Sequence, residues 1–534
     1  MGNVRRDAPI APGRLMSATA EYVRPMPEVN PWLIAATVIS ATFMEVLDTS
    51  VANVSLPHIA GNLSASVDES TWVLTSYLVS NAIVLPLTGW FSTLFGRKRF
   101  FLACVTIFTL SSFLCGMAPS LGALVFFRVV QGAGGGGMQP LSQAILVDSF
   151  PRSKQGMAMA IYGMGVVVAP TLGPTLGGWI TDNYSWRWIF LLNVPVGIVS
   201  LVMISLLISD PAHIVRKTFK QGLRIDFLGL GLLSVGLGFL QVILDKGERD
   251  DWFGSTFITW ATVVCVTALI ALVIRELTAK DPVVDLHLFK DRNFAISTFM
   301  MYTLGVVLYS TTLLVPILLQ TLMGYTAMES GMVLLPGGLL LLATLPFVGA
   351  LLDRFPPRWI IATGLCVMAT GLFQLSHLTL EASARSPVGD WIISRVGTAF
   401  LFVPINVMAF YFVPRGKMNN ASGLINLARN VGASTGISFV TTMLDRRAQF
   451  HQNVLAGNLQ PGNPLYQSAL RHITNLLTTH GEDAARAAFG AHALVYQQLQ
   501  RQATMLSFVD NFRVMGTICL CVLPLLFVMR QRTR

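Results

Sequence analysis

The sequence has few charged residues. Asp, Glu, Lys and Arg make up 12% of its 534 residues, while hydrophobic residues make up 53% and the mean hydropathy is +0.61. Soluble domains carry about 25% charged residues. Apolar runs of about 20 residues, the length that crosses a bilayer as a helix, recur along almost the whole chain. The sequence is therefore that of an integral membrane protein, with little polypeptide left for a soluble catalytic domain.

Motifs for covalent or hydrolytic chemistry are also missing. The sequence has no HExxH and no GxSxG, and the glycine run 134–137 lacks the Lys and Ser/Thr of a phosphate-binding loop. All six cysteines lie in apolar runs without a CxxC pair, which is typical of buried side chains. We expect neither an enzyme nor ATP-driven transport, and no metal or cofactor. An ion gradient would then have to drive any transport.

The formal net charge of +10 is unevenly distributed. Both terminal tails and every second connection between apolar runs are rich in Lys and Arg. The short connections on the other side carry few basic residues: Arg187, Lys246, Arg249 and Arg385. Such an asymmetry marks the cytoplasmic side of a membrane protein. It predicts that both termini are cytoplasmic and that the number of spans is even, and it explains the charge without nucleic acid.

The apolar runs predict an all-α membrane protein with about 14 transmembrane helices. Residues 349–354 end a span as residues 89–97 do, and Gly432 and Gly436 repeat a small-residue spacing of the first half. This repetition predicts two pseudo-symmetric six-helix bundles with the working site between them. The predicted division is a cytoplasmic tail (1–30), an N-terminal bundle (31–210), an inserted helix pair with linkers (211–290), a C-terminal bundle (291–529) and a cytoplasmic tail (530–534).

The segment 163–182 is unusually rich in small residues and proline. Small residues recur at every fourth position: Gly165, Ala169, Gly173 and Gly177. On a helix they form a ridge almost free of side chains, on which another helix can pack closely. Pro170 and Pro174 remove backbone donors, so the helix should bend. We predict a packing seam about which the bundle pivots; an ordinary kinked span is the alternative.

Two acidic residues lie in the first predicted span. Glu45 and Asp48 are three apart and share a helix face. A carboxylate at the middle of the bilayer costs roughly 2.5–3.5 kcal/mol, so both must face water, a cation or a proton. In the fourth span Arg128 begins a polar stripe with Gln131 and Gln139, and we expect it to pair with these carboxylates. The three charged residues are predicted to couple transport to protons; a fixed structural ion pair is the alternative.

A short basic turn follows the second predicted span, and the second half has a similar turn. Gly89 and Gly96 frame the first turn, and Arg97 and Lys98 are expected to anchor it to the lipid surface. Asp353 and Arg354 end the corresponding span of the second half.

One long non-cytoplasmic connection, residues 445–506, precedes the last predicted span. It contains a Pro/Gly/Asn turn at 460–464 and two stretches with helical apolar spacing, 470–477 and 485–505. Connections of this length are usually functional. We predict that it docks a partner outside the membrane; a tolerated insertion is the alternative.

Three motifs resemble signature motifs of the major facilitator superfamily, and specifically of its fourteen-span drug:proton antiporters. They are LDTSVANVSLP at 47–57, RVVQG at 128–132 and GPTLGG at 173–178. From about residue 30 onwards the chain is similar to the EmrB-type inner-membrane efflux subunits of this family. In one place it departs from the pattern, because Thr93 stands where the basic turn usually has Asp.

The resemblance implies the major facilitator fold and alternating access. It implies export of hydrophobic or amphipathic drugs across the bacterial inner membrane, driven by the proton gradient, and a proton role for Asp48 and Arg128. It also implies a tripartite pump with a periplasmic adapter of the EmrA type and an outer-membrane channel. The residues it assigns to the antiporter motif are Gly165, Pro170, Gly173, Pro174, Gly177 and Gly178. It also implies a cytoplasmic gate between the bundles, formed by Gly89, Gly96, Arg97 and Lys98, with Asp353 and Arg354 as its candidates in the second half.

The predicted central cavity mixes aromatic side chains with few charges. Polar candidates for its wall are Asn53, Gln131, Gln139, Asn406 and Arg429. Two other functions stay open at this point. The same bundles could take up a small nutrient by symport or facilitation, or the fold could serve a membrane sensor or scaffold that does not transport. Such a sensor should tolerate loss of Asp48 and Arg128, whereas a transporter should not.

Overall fold

A computed structural model describes residues 30–210, 226–279, 282–381 and 385–529, and within these ranges every regular element is a helix. The first half contains α1 (Pro31–Val54), α2 (Trp72–Phe95), α3 (Arg97–Gly116), α4 (Leu121–Gly135), α5 (Met138–Ser149), α6 (Gln155–Asn183) and α7 (Arg187–Leu207). The rest contains α8 (Phe227–Lys246), α9 (Thr256–Thr278), α10 (Arg292–Thr321), α11 (Ala327–Leu351), α12 (Pro357–Leu375), α13 (Arg385–Phe410), α14 (Met418–Ala456), α15 (Pro464–Thr479) and α16 (Ala484–Val522).

Parts of several predictions lie outside the described residues. These parts are residues 1–29 of the N-terminal tail, residues 211–225 of the linker before the inserted pair, the C-terminal tail 530–534 and the side chain of Pro174.

The helices account for the predicted number of membrane spans. Among the residues that the structure describes, eleven helices are long and apolar enough to cross a membrane, and α6 makes a twelfth as a bent span. The pair α4–α5 and the helix α14 are also long, but they carry polar side chains such as Arg128 and Arg429, which are buried inside the protein. Because these polar groups face the interior rather than lipid, both segments can cross the bilayer. The predicted total of about 14 spans is therefore confirmed.

The two halves pack in the same way. In the first half α1 packs on α6, α2 and α3 pack on α4, and α7 packs on α3. The second half repeats this arrangement, since α10 packs on α14, α11 and α12 pack on α13, and α16 packs on α12. Between the halves, α2 contacts α14 and α6 contacts α11. The predicted pseudo-symmetric pair of bundles is present.

The inserted pair, α8 and α9, lies at the side of the two bundles. α9 packs mainly on α8 and exposes apolar side chains such as Trp260 and Ile270. Asp226 caps α8 by accepting a 2.9 Å hydrogen bond from Gly229 N, and Arg275 near the end of α9 donates to the same carboxylate at 2.9 Å. Since α8 contacts both α2 and α14, it covers the junction between the two bundles on one side.

The predicted packing seam on α6 lies against α1. A Cβ atom on Gly177 would lie 2.9 Å from Val51 Cγ1, and one on Gly165 would lie 3.0 Å from Ile39 Cγ2. Such distances leave no space for larger side chains. The same relationship recurs between α10 and α14, where Gly432 packs directly against the carbonyl oxygen of Tyr302 and leaves no space for a Cβ atom.

The seam helix is bent, as predicted. The axes of its segments Arg152–Pro170 and Thr175–Asn183 differ by 46°. The carbonyl of Pro170 has no helical donor, because residue 174 is a proline and lacks an amide hydrogen. Ser50 Oγ on α1 donates a 3.1 Å hydrogen bond to that carbonyl instead. The neighbouring helix therefore satisfies the group that the bend leaves free.

The two bundles meet tightly at the end where α2, α5, α11 and α13 finish, which we call the basic end. There a Cβ on Gly156 would lie 2.8 Å from the carbonyl oxygen of Gly349, and Gly89 lies directly against Asn420. Towards the opposite, outer end, the bundles separate around a cavity whose rim carries the partly exposed Val54. The structure is thus closed at the basic end and open towards the outer end.

The long connection before the last span is helical, as predicted. α14 continues to Ala456, a turn follows, and α15 (Pro464–Thr479) packs on the first part of α16. Apolar side chains remain exposed on these elements, among them Leu465 and Phe489 with exposures of 78% and 79%.

Candidate functional site

A cavity of about 260 Å³ lies between the two bundles. Its wall comes from α1, α2, α5 and α6 of the first half, from α8 of the insert, and from α10 and α14 of the second half. The polar lining residues are Glu45, Thr49, Ser50, Asn53, Tyr77, Asn81, Gln139, Gln241, Tyr309, Thr312, Asn430 and Ser434. Only one of them, Glu45, is an acid, and the rest of the lining is apolar.

Glu45 is held in the wall by neutral donors from two other helices. Tyr77 Oη and Asn81 Nδ2 of α2 each donate to Oε1 at 3.2 Å, and Gln139 Nε2 of α5 donates to Oε2 at 2.5 Å. The carboxylate is therefore fully hydrogen-bonded although it is buried.

Asp48 belongs to a different and fully enclosed network. Arg128 Nη1 lies 2.5 Å from its Oδ2, while Gln131 Nε2 and Asn193 Nδ2 donate to Oδ1 at 3.0 and 2.7 Å. The guanidinium also donates to the carbonyl of Val73 at 3.0 Å. The predicted partnership of Arg128 with the first span is confirmed for Asp48. Glu45 does not contact Arg128.

The two carboxylates have separate partners because Gln131 and Gln139 lie eight residues apart in the fourth span, which is about 12 Å along a helix. The predicted fourth span is present as α4 and α5, which a turn at Gly136 and Gly137 joins; both glycines keep right-handed helical dihedral angles. Gln131 stays on α4 with Arg128, whereas Gln139 stands on α5. The predicted polar stripe therefore contacts both carboxylates of the first span, Asp48 through Arg128 and Gln131, and Glu45 through Gln139.

The five polar residues predicted for the cavity wall occupy different places. Asn53 and Gln139 line the cavity. Gln131 lies in the Asp48 network, Asn406 accepts a 3.2 Å hydrogen bond from Gln143, and the Arg429 guanidinium donates to Gln139 Oε1.

Sequence reasoning missed several wall residues. Gln241 is the clearest, because it comes from the inserted pair and its amide exchanges hydrogen bonds of 2.8 and 3.2 Å with Ser434. Tyr77, Asn81 and Asn430 were missed as well. All are polar residues within apolar runs, which is the signal that could have found them.

The second half carries a cation where the first half has an ion pair. Arg395 of α13 corresponds to Arg128, and its Nη2 donates to Thr311 and Thr312 of α10 at 3.1 and 3.0 Å. Its guanidinium also lies 3.6 Å from the centre of the Trp391 ring. Over the ranges that the structure describes, Arg395 forms no ion pair. The cation is stabilised by hydroxyl groups and an aromatic face instead of a carboxylate.

The basic turn of the first half is fixed by carboxylates from elsewhere in the bundle. Gly96 has a φ of 85°, which glycine adopts without strain, and joins α2 directly to α3. Arg97 Nη1 donates to Asp148 Oδ2 at 2.8 Å, and the main-chain N–H of Lys98 donates to Asp210 Oδ1 at 2.7 Å. Asp148, at the end of α5, thus supplies the carboxylate that the turn itself lacks.

The other predicted gate residues have different surroundings. Thr93 donates to the carbonyl of Trp90 within its own helix. Asp353 and Arg354 are exposed after α11, and Asp353 has no ion-pair partner among the residues described. Gly89 contacts the second bundle through Asn420. Among these predicted gate residues, the contact between the two bundles is therefore the close packing of Gly89.

The antiporter-motif residues lie on α6 beside α1. Pro170 lines the cavity, while Gly173 lies against Ser50. Gly178 is different, because the nearest atom to a Cβ built on it is 3.9 Å away. The motif thus combines one wall residue with a close-packed helix contact.

Comparisons with known proteins agree with this architecture. The Major Facilitator Superfamily model matches residues 38–437. The chain is 41% identical over 432 residues to the multidrug export protein EmrB of Haemophilus influenzae, with 80% of this chain and 83% of that protein covered. It is 36% identical over 489 residues to EmrB of Escherichia coli K12, with 91% and 93% covered. The proton:xylose symporter XylE shares the fold, with a TM-score of 0.60 at 13% identity over 94% of this chain and 96% of that one. The chain therefore belongs to the Major Facilitator Superfamily and, within it, to the EmrB family.

Proposed function

We propose that this protein exports hydrophobic or amphipathic drugs across the bacterial inner membrane in exchange for protons, with both termini in the cytoplasm. Relatives that match most of the chain are named as multidrug export proteins. The single observation that carries the proton part is the position of Glu45. It is an ionisable side chain in the wall of a cavity between two bundles, where a solute and a proton can both reach it.

The cargo follows from the chemistry of the wall. Apolar side chains such as Leu78, Leu313 and Ile437 alternate with tyrosine hydroxyls and amides. Such a surface binds apolar bodies by desolvation and leaves a few polar groups to orient them. A strongly polar nutrient would leave much of this wall without partners, so a nutrient symporter is the less suited function.

The cycle uses alternating access between two states. In the outward-open state a proton from outside reaches Glu45, and its uptake allows the bundles to part at the basic end. A drug then enters from the cytoplasm, the proton leaves, and the bundles return. Each proton that moves inward across 100 mV releases about 2.3 kcal/mol, so no cofactor is required.

Asp48 and Arg128 take a second role in this proposal. They were predicted as proton-coupling residues, and Asp48 lies one helical turn from Glu45. The pair is enclosed in the outward-open state, so any exchange of its proton has to occur in the other state or during the transition.

The outer segment, made up of α15 and the first part of α16, is the proposed contact for a periplasmic adapter. Leu465 and Phe489 offer large apolar side chains that nothing in the described chain covers. Exposed apolar clusters of this kind mark interaction sites. Through such an adapter the pump would connect to an outer-membrane channel.

Transport by purified protein in liposomes tests the proposal. An outward-directed proton gradient, with the lumen more acidic than the medium, should drive accumulation of the dye Hoechst 33342 in the lumen, and dye entry should release protons to the medium, where a pH indicator detects them. E45Q should abolish the proton signal, whereas N53Q, a neutral change in the same wall, should keep it. Dye movement without proton movement would refute antiport. The absence of any transport would favour a sensor or scaffold.

A further inference from the structure

Gln139 connects the ionisable residue of one bundle to a buried cation of the other. Its Nε2 donates to Glu45 Oε2 at 2.5 Å, and its Oε1 accepts a hydrogen bond from Arg429 Nη2. Glu45 and Gln139 belong to the first bundle, on α1 and α5, whereas Arg429 belongs to the second, on α14. The three side chains form a continuous bridge across the interface between the bundles.

The chemistry of the two ends fixes the orientation of the amide. An ionised carboxylate only accepts hydrogen bonds and a guanidinium only donates them. The NH₂ group of Gln139 must therefore face Glu45, and its oxygen must face Arg429. Both bonds are charge-assisted, and such bonds are roughly twice as strong as neutral ones.

Protonation of Glu45 weakens the hydrogen-bonded bridge between the two bundles. The neutral carboxyl group is a weaker acceptor, and the bond from Gln139 is no longer charge-assisted. Arg429 is 2% exposed and then has no negative group to balance it through the bridge. Attraction between the two bundles at this point should fall.

A second glutamine spans the same interface without any charge. Gln143 lies one turn beyond Gln139 on α5, donates to Asn406 at 3.2 Å, and accepts 2.7 Å hydrogen bonds from Ser422 and Asn426. All three partners belong to the second bundle and are neutral. Gln143 therefore holds the bundles together at every pH, and it provides a matched control for Gln139.

We infer that Gln139 is the positioning residue through which the protonation state of Glu45 controls the closure of the basic end. With Glu45 ionised, the bridge holds the second bundle on the first; with Glu45 neutral, the bundles can part there. This inference extends the proposed exchange of a drug for a proton, and it rests on Glu45 being the residue that takes up the proton.

Other titratable groups near Glu45 do not change charge in the range that matters. Tyr77, Tyr162 and Tyr309 interact electrostatically with Glu45 from α2, α6 and α10, and tyrosines stay neutral between pH 5 and 9. Arg429 stays charged. Asp48 is paired with Arg128. A conformational step in this pH range would thus report on Glu45.

The test measures conformation rather than transport. Spin labels on F95C and F412C, exposed positions at the basic end of each bundle, report the distance between the bundles in a cysteine-free full-length background. Wild type should change from a short distance at pH 9 to a long one at pH 5, and E45Q should not respond to pH. Q139L should lose the pH-dependent step. Q143L should populate the long distance more at every pH but keep the step.

Q139E is a second variant that tests the inference even if Q139L does not fold. It retains a hydrogen-bonding side chain for Arg429 but places a second carboxylate beside Glu45, so the step should move to higher pH by about one unit. The inference is overturned if Q139L and Q139E keep the wild-type step, or if Q143L loses it too. Because the readout needs no solute, a step that depends on Gln139 in a protein without proton-coupled transport would refute only the proposed function. Proton-coupled transport with an unaltered step in Q139L would refute only this inference.

Discussion

Asp48 and Arg128 form an ion pair with 2.5 Å between Oδ2 and Nη1, and it lies behind the cavity wall rather than in it. Their side chains are 1% and 0% exposed. The other carboxylate oxygen of Asp48 accepts hydrogen bonds from Gln131 and Asn193, so this network connects α1 to α4 and α7. Glu45, three residues earlier on α1, is the carboxylate that lines the cavity.

Breaking this ion pair on one side should destabilise the protein strongly. R128M leaves Asp48 buried without its cation, which typically costs about 3–5 kcal/mol. D48L/R128M removes both charges, and such replacements are often nearly neutral. Thermal unfolding of the detergent-purified variants should therefore show a much lower melting temperature for R128M than for the double variant. Equal melting temperatures for R128M and wild type would contradict a pair that holds the helices together.

Two adjacent glycines of the seam should respond differently to alanine. A Cβ at position 177 meets the side chain and backbone of Val51 at 2.9–3.1 Å, whereas position 178 has no atom nearer than 3.9 Å. Alanine raises helix propensity equally at both sites, by about 1 kcal/mol, so the difference between them reports the contact. We expect G177A to lose stability by about 1–3 kcal/mol relative to G178A.

The melting temperatures of G177A and G178A, and their dye transport in liposomes, measure this difference. If G177A were as stable and as active as G178A, the contact between α1 and α6 would not depend on a glycine at position 177.

Asp226 should make stability depend on acid pH. The hydrogen bond from Arg275, together with that from the main chain of Gly229, holds the pKa of this carboxyl below its usual value of 3.8. A group with a lower pKa in the folded state stabilises the protein above its unfolded pKa, and this stabilisation is lost as the pH falls through the folded pKa. We expect D226N, which keeps a good helix cap, to melt below wild type at pH 7.

The difference between D226N and wild type should shrink as the pH falls below about 4. Melting curves between pH 3 and 7 measure it, with D250N in the outer connection after α8 as a control. A difference that is constant over this range would show that the charge of Asp226 is not responsible.

The outer segment should be needed in cells but not in liposomes. Deletion of residues 457–488 removes α15 and the start of α16 while leaving the cavity residues in place. We expect this variant to transport dye in liposomes and to confer no drug resistance on cells. F489D should reproduce the effect, because it places a charge on an exposed apolar side chain. E482Q, an exposed change nearby, should behave like wild type; resistance in all three variants would contradict docking through this segment.

The hydrophobic pattern predicted the helices well, because each span has to satisfy its own backbone in lipid. The seam could be predicted for the same reason: Gly165, Gly173 and Gly177 fall on one face of any helix. The hydrogen-bond partners of the buried polar side chains could not be predicted. Gln131 and Gln139 belong to one predicted stripe, but the sequence did not show that Gln131 would contact Asp48 and Gln139 would contact Glu45. Gln241 was missed because its helix has no counterpart in either bundle, although a polar side chain within an apolar run was a signal in the sequence.

The sequence by itself determined a membrane protein of about 14 spans in two similar halves, because the length and polarity of each run depend on local composition. It also identified charges that could not face lipid. The tertiary structure alone decided which of them share a network and which face the cavity. Those facts depend on how α1, α5 and α14 are turned towards one another, and side chains far apart in the chain determine that packing.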